Sequence, residues 1–590
     1  MEPSSSITYS NSHLNPALNL IKYPKSYLKI EQVIENLDKL LNRRVEVSES
    51  TGTIKYIGKL KHLKDKKDDD FWIGIEWDDF SRGKHNGTVE GFEYFKTSHP
   101  TSGSLIKFNK VNFGNSFLEA IKFKYNFHSQ SGDEMYQFLN RAVESDLYIQ
   151  ANKKRITIEL VGKEKAIQKF SQLDAIRNID LAFSFVSEIE TNLSSHFPQL
   201  KELILQKTLL NKWSQFLLIL QNFKNLEILN FSENFLLFDD KFEEIKNSIN
   251  PNELKLNYLI LNKCNLDFSS FYNISFVMRN VETLYLMGNE INEENFNKNK
   301  SEDSNNIQYE KEKLGFNLSK LSFISLERNK IKNFIKTLDL LCIHKVSRIN
   351  LNQNHISKII YNEEEDLKTI NEIKPNLQGL YIDYNQFSPS SSETQILKEL
   401  SFFENLTDLD ILNNNLIEKI GIDISKNILI GRLLKLQTLN NTSISKDVRR
   451  DCELFYLKNS VNDYLKFNPV KESFDKAKFE EFMKLNHPNY FILKKKYFDP
   501  LEDILENVKQ VDLNTIKGNI IEVNFKHGDK QITKKFHKTT TFSNLRNLLS
   551  KLFKINGNFS FNINLEEVVT DETRSLDNCS VNSSHIIYLN

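Results

Sequence analysis

The chain has 590 residues, and its 78 Lys and Arg balance its 78 Asp and Glu. At roughly 150 residues per domain this length suggests about four structural units. Zero formal charge excludes the global basic footprint of a general nucleic-acid binder, and 18 Gly with 11 Pro exclude fibrous or linker-dominated architectures.

Residues 1–35 are rich in Ser and Asn and read as a flexible extension with one short helix near Ile30 to Leu41. From Arg44 the texture changes to short β-type runs separated by glycine, RVEVSESTGTIKYIG, DFWIGIEWDD, GTVEGFEYF and GSLIKF, which predict a small barrel over 36–115. Within it stand Gly58, Phe71, Trp72, Gly74, Glu76, Gly83, Lys84, Gly87, Gly91, Tyr94, Phe95 and Gly103. This density of matching positions resembles the CAP-Gly domain, a β-barrel family that binds acidic C-terminal tails of tubulin and related proteins. Gly83-Lys84-His85-Asn86-Gly87 stands where that family carries its Gly-Lys-Asn-Asp-Gly groove motif, with Asn86 departing from the usual Asp.

The resemblance implies a groove built from Phe71, Trp72, Trp77, Gly83, Lys84, His85, Asn86, Gly87 and Phe95. Its chemistry is consistent: a peptide ending in carboxylates and an aromatic ring needs a cation, backbone N–H donors and an apolar slot. Lys84 supplies the charge, the glycines let backbone approach the ligand, and the aromatics form the slot. Each aromatic could equally be ordinary core. Asn86 questions the internal hydrogen bonding of the loop, whereas losing a carboxylate there lowers repulsion toward Glu-rich peptides.

Residues 116–170 read as a connector and solenoid N-cap. Over 171–450 a leucine-rich template, L-x-x-L-x-L-x-x-N-x-L, recurs in VETLYLMGNEI (281–291), LSFISLERNKI (321–331), VSRINLNQNHI (346–356), LQGLYIDYNQF (377–387) and LTDLDILNNNL (406–416). LNYLILNKCNL fits with Cys264 at the Asn position, LEILNFSENFL fits with Phe231, and IRNIDLAFSFV and LKELILQKTLL are degenerate copies. One copy cannot bury its apolar face, but stacked neighbours share a continuous core, so the prediction is an α/β solenoid. The long step between the copies starting at 281 and 321 holds a polar insert, NEENFNKNKSEDSNNIQYEKEK, read as a solvated loop.

Strand alternation sends the residues flanking the inner leucines onto the concave sheet. Tyr258, Tyr285 and Phe323 give way along that stripe to Arg348, Tyr381, Asp383, Asp408 and Asp410. Exposed aromatics there favour a protein-binding surface over a merely solvated sheet. Residues 451–512 read as a helical C-cap and linker, needed because a terminal repeat otherwise exposes its core. The last unit, 513–590, runs hairpin, helix, strands, with Thr541 as N-cap and a turn at His527-Gly528-Asp529. That order resembles a ubiquitin-like β-grasp, and without a diglycine tail it is expected to dock rather than conjugate. The fold class is thus multidomain α+β.

Chemistry of the catalytic kind has no residue support. GTIKYIGKL has five residues between its glycines and Leu60 where a phosphate loop needs Ser or Thr. There is no G-x-S-x-G or H-E-x-x-H motif, and Cys264, Cys342, Cys452 and Cys579 have neither metal nor redox spacing. No enzyme activity, metal or cofactor is expected. With no signal-type N-terminus and no run of about 18 apolar residues, the chain is expected in the cytoplasm with no membrane or nucleic-acid partner; association with the cytoskeleton is what the CAP-Gly resemblance implies.

The order CAP-Gly, leucine-rich repeats, ubiquitin-like domain resembles the tubulin-folding cofactor E family. The likeness rests also on WDDFSRGKHNG, HPTSGSLIKFNKVNFG and FEEFMKLNHPNYFILKKKYFDP. It implies binding of α-tubulin and, with cofactors B, C and D and β-tubulin as partners, assembly and dissociation of the αβ heterodimer. Contacts of the last unit with cofactor B or with ubiquitin and proteasome proteins stay open. So do two rival readings, a CAP-Gly microtubule-associated adaptor, disfavoured by the lack of sustained heptads, and a ubiquitin-pathway scaffold.

Overall fold

The computed structural model describes residues 37–61, 71–124, 148–151, 154–157, 175–294, 314, 316–387, 399–468, 475–497, 520–555, 559–565, 567–582 and 585–590. The expected N-terminal extension, most of the connector over 116–170 and most of the polar insert lie outside these residues. The fold divides into two compact units, one running to Asn329 and including Leu341–Ile343, the other formed by Lys330–Leu340 and His344–Asn590.

The first unit begins with an antiparallel sheet in the order Arg44–Val47, Ser50–Gly58, Trp72–Trp77, Gly103–Lys107. Period-2 alternation explains its core: Ile73, Ile75 and Trp77 point to one face and pack with Val45, Val47, Ile54, Val111 and Phe113. The strand Asn115–Ser116 then pairs in parallel with Val186–Glu188 of the repeat region. Phe117, on the helix Phe117–Lys124, is fully buried between the rings of Phe197 and Phe223, at 6.1 and 6.0 Å. Arg43 Nη2 donates to Ser187 Oγ at 2.8 Å, and Asn211 Nδ2 donates to the Asn42 carbonyl at 2.5 Å. The small sheet and the first repeats are therefore joined by strand pairing, core packing and hydrogen bonds.

Six short parallel strands follow in this unit, Asn178–Asp180, Glu202–Ile204, Ile228–Asn230, Tyr258–Ile260, Thr283–Tyr285 and Phe323–Ser325. They stack without a register slip, Glu202 opposite Ile228, Ile228 opposite Tyr258, Tyr258 opposite Thr283 and Thr283 opposite Phe323. The central apolar residues Leu229, Leu259, Leu284 and Ile324 are wholly buried. The repeating Asn does the turning chemistry. Asn234 Nδ2 donates to the carbonyls of Leu205 and Phe231 at 2.8 and 2.9 Å, while its Oδ1 accepts from Thr208 N at 2.9 Å. Cys264 replaces that donor with its thiol, which donates to the Phe231 carbonyl at 3.4 Å, and burial pushes its pKa up to about 12. Wholly buried, with its thiol turned to a backbone carbonyl, it acts as a packing residue.

The second unit carries four parallel strands, Arg348–Asn350, Gly379–Tyr381, Asp408–Asp410 and Thr438–Leu439, ending in an antiparallel partner at Thr442–Ser443. Helices Ile422–Arg432 and Lys446–Phe467 close it, with Ser445 capping the second by accepting from Val448 N. Their packing requires Gly431, because a Cβ there would lie 2.3 Å from Tyr456 Cβ. Tyr456, Leu457, Val461, Tyr464, Phe479, Met483, Tyr490 and Leu493 form the cap core. Residues 520–590 form a five-stranded sheet in which Ile520–His527 and Ile586–Leu589 run parallel at the centre. The helix Phe542–Phe553, capped by Thr541, lays Phe542, Leu545, Leu549 and Phe553 against it, a β-grasp arrangement.

Candidate functional site

The groove loop is built by self-bonding. Lys84 N and His85 N both donate to the Gly103 carbonyl, at 2.7 and 3.2 Å, and Gly103 N returns a bond to the His85 carbonyl at 2.7 Å. Gly87 N donates to His85 Nδ1 at 3.0 Å, and Thr88 N donates to Asn86 Oδ1 at 3.1 Å. Asn86 thus closes an Asx turn as Asp would, which answers the question its presence raised. The glycines have a different reason from the one expected. A Cβ on Gly83 would sit 2.0 Å from the Thr101 carbonyl oxygen, and one on Gly87, whose φ is +99°, 2.0 Å from the Phe95 carbonyl oxygen. They allow backbone to meet backbone inside the fold, while the N–H groups of Lys84, His85, Gly87 and Thr88 are spent internally.

Side chains therefore remain to meet a ligand. Lys84 is exposed, and among the described residues no carboxylate pairs with it. Neighbouring acids are engaged: Asp78 with Arg44, Glu76 with Lys55 at 3.3 Å and with Ser98, and Asp79 with Ser81. His85, with Nδ1 accepting, carries its proton on Nε2 and offers a donor. Partial burial, reinforced by Lys84, holds its pKa below the ordinary 6.5. The proton stays off Nδ1, so the stability this loop gains is full above about pH 6.5 and is lost as pH falls through the lower folded value. Ring chemical shifts of His85 followed by NMR are expected to titrate below 6.5; a midpoint at or above 6.5 contradicts the assignment.

The aromatics separate by strand parity. Trp72 and Gly74 share one face of their strand, where Gly74 leaves room for the Phe95 ring and Lys107 lies 5.6 Å from the Trp72 ring. Phe71 and Trp72 are half-buried, and Phe95 is 7% exposed beside His85, ring centres 6.0 Å apart. Trp77 lies on the opposite face, 3% exposed in the core, its Nε1 donating to Ser104 Oγ at 3.0 Å and its ring under Arg82 at 4.6 Å. Two groups beside the loop were not singled out from the sequence. Phe80 is 56% exposed and packs on His99 at 4.5 Å, and Arg82 donates to Ser50 Oγ. Their signal was position alone, inside the run WDDFSRGK.

On the strands of the first unit, Tyr258, Tyr285 and Phe323 form a ladder of partly exposed rings, with centres 5.6 and 5.1 Å apart. In the second unit Arg348 crosses over Gly379, whose missing side chain leaves its path, and reaches Asp408 Oδ2 at 3.4 Å. Tyr381 is partly exposed in that unit. Asp383 Oδ1 accepts from Leu412 N at 2.6 Å and Asp410 Oδ1 from Asn441 N at 2.9 Å. Burial, with Asp410 adding repulsion, pushes the Asp383 pKa up to about 6; burial likewise raises that of Asp410.

A raised carboxylate contributes stability that is full below its unfolded value and lost as pH rises through the folded one. Asp383→Asn keeps the acceptor for Leu412 N and removes the charge. It is expected to raise stability at pH 7.5 by about 1 kcal/mol after allowance for solvent screening, and by less at pH 5. Thermal unfolding at the two pH values checks this, and an equal or negative change at pH 7.5 contradicts it.

No helix among the described residues is long and apolar enough to cross a membrane, and no cluster of His, Cys, Asp or Glu suited to a metal occurs among them. The CAP-Gly domain family model matches residues 41–111. Tubulin-specific chaperone E of Xenopus laevis is 28% identical over 532 residues, covering 87% of this chain and 90% of that protein. The Mus musculus protein of the same name is 28% identical over 88% of this chain and 90% of its own length. Tubulin-folding cofactor E of Arabidopsis thaliana is 26% identical over 86% and 88%.

Proposed function

We infer that this chain, a member of the tubulin-folding cofactor E family, binds α-tubulin at two places and delivers it for pairing with β-tubulin. The observation that carries the reading is an exposed Lys84 on a loop whose own backbone donors are internally satisfied, within a chain alike to tubulin-folding cofactors over almost nine-tenths of its length. The lysine meets the acidic C-terminal tail of α-tubulin, with His85 Nε2–H as a further donor and Phe71, Trp72 and Phe95 toward the ring of the terminal residue. The aromatic ladder of Tyr258, Tyr285 and Phe323 takes apolar surface of the folded body, and the carboxylates Asp383, Asp408 and Asp410 take its basic groups.

Cofactor D carrying β-tubulin, cofactor C and cofactor B are the expected co-workers in the cytoplasm, and the same grip on α-tubulin serves both assembly and dissociation of the heterodimer. The protein performs no bond chemistry in this scheme, and nucleotide belongs to tubulin. The test is capture of soluble α-tubulin by the purified chain, together with the yield of αβ heterodimer when the other cofactors are supplied. Stoichiometric capture and a dependent yield are expected. A folded chain that ignores free subunits yet co-sediments with microtubules overturns the reading in favour of a polymer adaptor.

A further inference from the structure

Within the second unit, the cap that closes the repeats and the β-grasp that follows it have separate cores. Tyr456, Phe479 and Tyr490 pack together in the cap, and Phe525, Phe542 and Leu549 pack together in the β-grasp. Among the described residues, no buried apolar side chain belongs to both clusters. What joins the facing surfaces is charge. Arg574 of the β-grasp meets Asp451 of the helix Lys446–Phe467, Nη2 to Oδ2 at 2.5 Å. Two turns further along that helix, Lys458 Nζ donates to Ser580 Oγ at 3.4 Å. Lys426 of the cap attracts Asp571 of the β-grasp, while Asp571 and Asp423 repel each other. Both ends of the main pair are anchored. The Arg574 carbonyl accepts from Phe542 N at 3.0 Å, at the start of the β-grasp helix, and Cys452, next to Asp451, donates its thiol to Asn427 Oδ1 at 3.0 Å. Around these contacts the surfaces stand apart over a cleft of about 410 Å³, walled by Ile422, Ile424, Leu454 and Phe455 on one side and by Thr539 and Asp577 on the other.

We propose that Arg574 and Asp451 form an ionic latch that holds the β-grasp closed on the solenoid cap, and that opening it turns the β-grasp into an independently moving module and bares the cap wall of the cleft. The separate cores make this possible, because parting the two surfaces exposes neither core. A cleft of this size and polarity already admits solvent, so the closed state lacks the apolar seal of a permanent contact. A partly exposed ion pair is worth about 0.2–1 kcal/mol, which sets closed and open states within a small factor of each other. Balances of that size are shifted by ionic strength or by a partner that prefers one state. The cap wall bared on opening is apolar: Ile422 is already 62% exposed and Ile424 44%, with Leu454 and Phe455 behind them. The latch is independent of the Lys84 groove and of the client assigned to it.

The test uses the full chain and a short amine-reactive cross-linker, read by mass spectrometry. Lys458 and Lys538 flank the cleft, the first through Ser580 and the second through its carbonyl, which accepts from Asp577 N at 2.9 Å, so a link between them reports closure. Wild type is expected to give this link in dilute buffer and to lose it progressively as salt rises. Arg574→Glu on one side and Asp451→Arg on the other are each expected to lower its yield roughly fivefold, near the upper worth of a partly exposed pair. The doubly reversed chain, Arg574→Glu/Asp451→Arg, is expected to recover it, a result that misfolding of either part cannot produce. A yield that neither single reversal moves overturns the latch, and so does a loss that the double reversal fails to restore. A yield that rises with protein concentration makes the link a contact between two copies, which also overturns it.

Discussion

Lys84→Ala is expected to weaken binding of an acidic C-terminal peptide by roughly 10- to 50-fold, the worth of one charge-assisted contact at a partly exposed site. The reason is the lack of substitutes. The loop N–H groups nearest the lysine already donate to Gly103, His85 and Asn86, so no backbone donor moves in when the ammonium is removed. Arg82 is held by Ser50 and the Trp77 ring. Lys84→Arg is expected to recover part of the affinity, because charge returns with a different donor geometry. Raising the salt concentration is expected to erode wild-type affinity and to leave that of Lys84→Ala less changed. Calorimetric titration with the peptide at two salt concentrations checks both, and an affinity that neither substitution nor salt moves contradicts the groove assignment.

Gly87→Ala is expected to be worse than Lys84→Ala, through a different route. The residue combines φ of +99° with a Cβ position 2.0 Å from the Phe95 carbonyl oxygen, so both the backbone conformation and the contact refuse a side chain. Relief requires the backbone at Phe95 to move, which displaces the ring from the space beside Gly74 and breaks the Gly87 N to His85 Nδ1 bond. A loss of about 3 kcal/mol in the stability of the small sheet is expected, with peptide binding abolished. Gly91→Ala is the control: its φ is also positive, at +82°, but no atom lies within 4 Å of its Cβ position, so only the conformational part applies. Hydrogen exchange of the sheet amides in the two variants separates the effects, and equal protection in both contradicts the steric account.

The repeats were plain in the sequence because each position of the template has a physical job that recurs. Leu259 and Leu284 bury, Asn234 and Asn289 turn the chain, and even Cys264 reads as a departure at a known position. The concave residues follow from the same parity. Parity also separates Trp72 from Trp77 in the strand WIGIEW, where the family likeness had grouped them; five residues apart, they face opposite ways. The glycine-rich loop was legible as a motif but not in its reason, since what Gly83 touches, the Thr101 carbonyl, lies on a segment whose approach no local pattern announces. Least legible is the union of the small sheet with the repeats. Asn42 and Asn211 are 169 residues apart, and neither belongs to a periodic pattern.

The most direct measurement is the affinity for α-tubulin with and without its acidic tail, in wild type and Lys84→Ala, read as a double-mutant cycle. If the lysine and the tail are partners while other surfaces hold the globular body, removing either costs the same factor, removing both costs no more, and the tailless client still binds. Equal losses from Lys84→Ala on intact and tailless α-tubulin contradict the account.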